Sequence, residues 1–93
     1  MTFTTNVGEN LYVQFGVMFE SATPEAARLI SEFKPRIQHG IILLLSTKDA
    51  DILRTLNGKK ELAEEMIALV NEVIGENHKT GVTEALFTRF LIQ

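Results

Sequence analysis

Cysteine is missing from this 93-residue chain. Its absence removes disulfide frameworks, thiol catalysis and zinc–thiolate sites, and leaves the redox compartment open. Histidine is nearly as scarce. His39 and His78 lie far apart, with no spacing that would set two imidazoles on one helical face. Basic charge is also thin. Nine Lys and Arg stand against twelve Asp and Glu, for a formal net charge of -3. The cations are scattered, which excludes a nucleic-acid or anionic-membrane surface built from clustered Lys and Arg. Long apolar runs are lacking too: "IILLL" falls far short of the ~18–20 residues of a membrane span. The opening "MTFTTNVGEN" has neither the basic start nor the apolar core of a signal peptide. These features suit a cytosolic protein, or the soluble part of something longer.

What is present is the composition of a globular domain, 45% hydrophobic and 23% charged. At this length one domain is expected, with a thin stability margin. "FTTNV" is a short strand, and "GEN" a turn in which Gly8 and Asn10 tolerate positive φ. "LYVQFGVMF" alternates, with Leu11, Val13, Phe15, Val17 and Phe19 on one face, and completes a hairpin. Thr23, Pro24 and Glu25 then open a helix carrying Ala26, Leu29, Ile30 and Phe33, which Pro35 must break. The spacing of Ile37, Ile41, Leu44 and Leu45 makes the next segment, with its "IILLL", a second helix rather than a buried strand. "DADILRT" allows one or two turns with Ile52 and Leu53 inward. "NGKKELAEEMIALVNEVIGEN" is the clearest helix, capped at Asn57, stopped at Gly75 and striped by Leu62, Met66, Leu69, Val70, Val73 and Ile74. The order implies an α+β domain: a small sheet of about three strands, from the N-terminal hairpin and a C-terminal strand, with three to four helices on one face.

The C-terminal "GVTEALFTRFLIQ" is unusual. An unbroken alternation over Val82–Ile92 places Leu86, Phe90 and Ile92 on one face and Ala85, Phe87, Arg89 and Leu91 on the other. Both faces are then largely apolar, although helices cover only one. A lone arginine between Phe87 and Leu91 suits an interface, where arginine and aromatics are enriched, so Phe87, Arg89 and Leu91 are the candidate self-association or partner surface. The bland alternative is an arginine stem lying over apolar neighbours.

No catalytic, metal or cofactor site emerges. His78 with Asp49 or Asp51 would make a poor metal site, and Ser46 with Asp49 or His39 a forced triad; Ser46 reads better as a helix cap. "NGKK" lacks the first glycine of a phosphate loop, so Lys59 and Lys60 flank an ordinary helix start. Glu61, Glu64, Glu65 and Glu72 form a solvated face, or a contact face for a basic partner. Met18 and Met66 are core or edge fillers.

Four stretches resemble, in order, the signatures of the FliL family of flagellar basal-body-associated proteins. "NVGENLYVQFGVMFE" is similar to its N-terminal hairpin. "KPRIQHGIILLLSTKDADIL" is similar to its P-x-I-x-x-x-(I/L)-x-x-L-L-S segment and acidic–Leu turn. "NGKKELAEEMIALVNEVIG" matches its G-K-x-x-L helix ending in N-x-(V/I)-(I/L), and "LFTRFLIQ" its closing strand. The resemblance implies a non-enzymatic periplasmic domain with a stomatin/prohibitin-like fold. Its owner would be a single-pass inner-membrane protein at the flagellar basal body, binding itself as a homo-oligomer or a ring, and binding the ion-driven stator proteins to support torque. It implies no cofactor, no nucleic acid, and membrane contact only through an N-terminal helix that precedes this domain in the family. The competing expectation is a small ligand-sensing or adaptor domain unconnected with flagella.

Overall fold

A computed structural model describes residues 1–8 and 10–93. Three strands, β1 (Thr2–Val7), β2 (Leu11–Ser21) and β3 (Val82–Ile92), form one antiparallel sheet in the order β1-β2-β3. Between β2 and β3 run α1 (Pro24–Glu32), α2 (Lys34–Ser46), α3 (Ala50–Leu53) and α4 (Leu56–Ile74). The α+β expectation holds, and the strand order left open by the sequence resolves with β2 in the centre. Glu9, in the middle of the expected turn, lies outside the described residues. Gly8 does take a positive φ of 66°, and no described non-glycine residue does, Asn10 included.

Local chemistry accounts for the helix ends. The Thr23 hydroxyl accepts from the Ala26 amide at 3.1 Å, and Pro24 opens α1. Phe33 leaves helical geometry between α1 and α2, one residue before the Lys34–Pro35 start, where the proline ring needs no amide partner. Asp49 caps α3 through the Asp51 amide at 2.8 Å. The cap of α4 is Thr55, whose hydroxyl accepts from the Gly58 amide at 2.9 Å, and not Asn57. Gly58 sits inside the first turn of this earlier start, where a Cβ would collide with the Ile52 carbonyl. Gly75 ends α4 in the left-handed region (φ 74°).

All helices pack on one face of the sheet. Val13, Phe15 and Val17 from β2, Phe3 and Val7 from β1, and Val82 and Ala85 from β3 meet Ile37, Ile41 and Leu45 of α2 and Leu62, Met66 and Val70 of α4. Phe15 is the hub. It stacks on Phe3 (centroids 4.9 Å) and Phe90 (5.7 Å) and meets Phe87 edge-on at 5.7 Å. Leu53 is buried, but Ile52, expected inward, is exposed.

α4 is tied to β3 by Asn71, the one buried polar side chain among the described residues. Its Nδ2 donates to the Val82 carbonyl at 3.1 Å, and its Oδ1 accepts from the Val82 amide at 2.7 Å. The amide side chain thus copies a strand neighbour at the start of β3. Gly81, beside it, leaves no room for a Cβ against Asn71 Oδ1.

Candidate functional site

The two-sided apolar character of the last strand comes from an extra residue. Pairing runs Gly16↔Arg89 and then Val17↔Phe87, so Thr88 has no partner and bulges. A second shift, from Glu20↔Glu84 to Ser21↔Val82, leaves Thr83 extra. Each bulge reverses the alternation. Val82, Ala85, Phe87, Phe90 and Ile92 therefore all turn toward the helices, opposite Val13, Phe15, Val17 and Phe19. The opposite face carries Glu84, Leu86, Arg89 and Leu91. Gly16 permits the bulge: the Thr88 hydroxyl occupies the space that a Cβ at position 16 would need.

The expected trio of Phe87, Arg89 and Leu91 is thereby split. Arg89 and Leu91 share the exposed outer face, whereas Phe87 belongs to the inner aromatic cluster, 5.2 Å from Phe90. The alternation count placed it outward because it counted Thr88. Met66 is in the core as expected, but Met18 stands on the outer face, 58% exposed. With Tyr12 (57%), Leu86 (42%) and Leu91 (39%) it forms an apolar outer surface around Arg89 that no helix covers. The sequence hid this surface, because Leu86 and Leu91 lie on opposite faces of an unbulged strand. The visible clue was glycine in mid-strand, at Gly16.

β3 is also an edge strand. Tyr12 and Gln93 exchange both backbone bonds at 2.8 Å, which sets the phase of the β2–β3 ladder. Val17 exchanges its own with Met1 on the other side. It follows that Phe87, opposite Val17, and Ala85, opposite Phe19, aim their amide and carbonyl groups away from β2, along the open edge. Val82 does the same, but Asn71 occupies its groups. The open stretch thus begins at Ala85. Beside it lies a groove of about 300 Å³ lined by Leu56, Lys59, Ala63, Ala85 and Phe87. Lys59 Nζ donates to the Arg54 carbonyl and sits 5.1 Å over the Phe90 ring.

The other candidates are held in local roles. Ser46 Oγ donates to the Leu43 carbonyl and Asp49 caps α3, so neither is directed at His39. Among the described residues no three His, Asp or Glu side chains gather as metal ligands. Of the acidic set, Glu65 pairs with Lys48 at 2.6 Å, while Glu61, Glu64 and Glu72 are exposed. No described helix is long and apolar enough to cross a membrane.

The family described as "Flagellar basal body-associated protein FliL" matches residues 1–93. Curated relatives named flagellar protein FliL include that of Escherichia coli (strain K12), 31% identical over 94 aligned positions, and that of Aquifex aeolicus, 28% identical over 83. These alignments take in 99% and 89% of this chain but only 61% and 50% of the relatives, so the chain spans about half to three fifths of their length. A match across the whole chain, which carries the hairpin, the Asn71 helix and the bulged last strand in order, assigns it to the FliL family of flagellar basal body-associated proteins.

Proposed function

We propose that this chain is a non-enzymatic module of the flagellar motor that self-associates beside the ion-driven stator units and supports torque under load. The observation that carries the reading is the uncovered outer face. Tyr12, Met18, Leu86 and Leu91 spend apolar area where a monomer needs none, around an arginine with no ion partner among the described residues. Such a surface, in a family of basal-body proteins, suits assembly rather than chemistry. In the same reading, the domain is periplasmic and is held at the inner membrane by a span in the longer protein. That anchoring raises its local concentration, so modest contacts suffice for association.

The test is swimming speed in media of rising viscosity, in a strain that keeps the rest of the protein but lacks these 93 residues. Loss of speed at high load with filaments still assembled supports the proposal. Unchanged speed at every load removes it.

A further inference from the structure

The first turns of α4 run beside the open edge of β3 and leave a groove between helix and strand. Two alanines give it depth: Ala63 on the helix and Ala85 on the strand line it where larger side chains would fill it, and Leu56 and Phe87 supply apolar walls. Its volume of about 300 Å³ is about twice the ~150 Å³ that holds a benzene ring. Along the strand wall, Ala85 and Phe87 aim amide and carbonyl groups outward with no strand to take them. Exposed edges are usually blunted by a proline, a lysine in the strand or a covering element. β3 has neither residue, and the cover that Asn71 provides ends at Val82. Lys59 and Lys60 also line the groove, and among the described residues neither has a carboxylate within ion-pair distance. Lys59 Nζ meets the Arg54 carbonyl at 3.1 Å and the face of Phe90 instead. The positive end of the α4 dipole lies at the same end of the groove. Unpaired backbone, apolar volume and uncompensated positive charge thus converge on one short stretch.

We propose that this groove binds an extended, acidic segment of another protein, added to β3 as a fourth strand beside α4. The backbone of the segment exchanges hydrogen bonds with Ala85 and Phe87. Alternate side chains of an added strand point to the helix side. The one opposite Ala85 enters the groove beside Ala63 and is large and apolar. The one opposite Phe87, two residues away, is Asp or Glu. This order follows from the course of α4, which runs antiparallel to β3, from Lys59 at Phe90 to Asn71 at Val82, and so sets its lysines at the Phe87 end. A second copy of this chain is a poor occupant. β1, the other edge strand, carries no carboxylate, and neither do the helix-facing residues of β3. The inference goes beyond the motor reading and does not rest on it.

Selection from a library of random nine-residue peptides on the purified chain tests this. It should enrich sequences with an acidic and a bulky apolar residue two positions apart. Filling the groove with Ala63→Phe should weaken an enriched peptide at least about tenfold. Lys60→Glu should do the same, and changing the acid of the peptide to lysine should restore binding to that variant. Melting temperature checks that both variants fold. N-methylation of the peptide probes the ladder without altering the protein: blocking the alternate amides that face β3 should abolish binding, and blocking the others should spare it. No enrichment, or binding that ignores both methylation patterns, overturns the proposal. So does laurate moving the Ala85 and Phe87 amide resonances where peptides leave them unmoved, which would make the groove an amphiphile site. A shift of those resonances with protein concentration alone would give the edge to a second copy, and would overturn it as well. None of these outcomes touches the motor reading, which swimming under load decides separately.

Discussion

Asn71 is the residue on which this fold depends most specifically. It lies on the buried arc of α4 between Met66 and Ile74, where an apolar side chain would satisfy the stripe, and the spacing argument passes over it. Its value lies in the two backbone groups of Val82 that it satisfies. Asn71→Leu would keep the helix and the volume, but would leave a buried amide and a buried carbonyl without partners. Each is worth about 1–3 kcal/mol, so a loss of roughly 2–4 kcal/mol is expected. In urea this appears as a lower midpoint at unchanged slope. A loss below about 1 kcal/mol would mean that water replaces the amide. The sequence motif N-E-V-I-G, read as a family signature, thus has a physical basis. Asn71 clamps the strand, Ile74 fills the core, and Gly75 turns the chain back.

At the scale of elements, the sequence was legible wherever a local rule acts alone. The alternation of β2, the cap at Thr23, the break before Pro35 and the helical nature of "IILLL" are set by neighbours a turn or a residue away. β3 failed because its phase is set from outside the strand. An extra residue is invisible to a count of alternating positions, and whether Thr88 is extra depends on the space Gly16 leaves on another strand. The same error split the candidate site, sending Phe87 outward on paper when it packs against Phe15 and Phe90. This account makes a strong claim about a deletion. Removing Thr88 should keep Phe87, Phe90 and Ile92 on the inner face, because it takes away the residue with no ladder position. The expected cost is under about 2 kcal/mol, a fall in melting temperature of no more than roughly 15 °C for a domain of this size. If the strand were unbulged, the deletion would turn Phe90 and Ile92 to solvent, and the cooperative transition would be lost.

The whole molecule is lopsided. Every helix lies on one face of a three-stranded sheet, and a chain of 93 residues has little else with which to cover the other. Stability and surface are therefore separable. The inner face holds the folding energy: Phe15 is fully buried and contacts three other phenylalanines, so truncating it to alanine should cost about 3–5 kcal/mol, much of a small domain's margin. The outer face should hold almost none. Replacing Tyr12, Met18 and Leu91 together by threonine retains strand preference while removing three exposed apolar side chains. The expected change in stability is within about 1 kcal/mol, or roughly 4–8 °C in melting temperature. A larger fall would show that these side chains support the fold as a packed unit, and their exposure would then be no argument for a partner. An unchanged melting temperature, accompanied by weaker swimming under load, would tie the outer face to the motor and leave folding to the inner one.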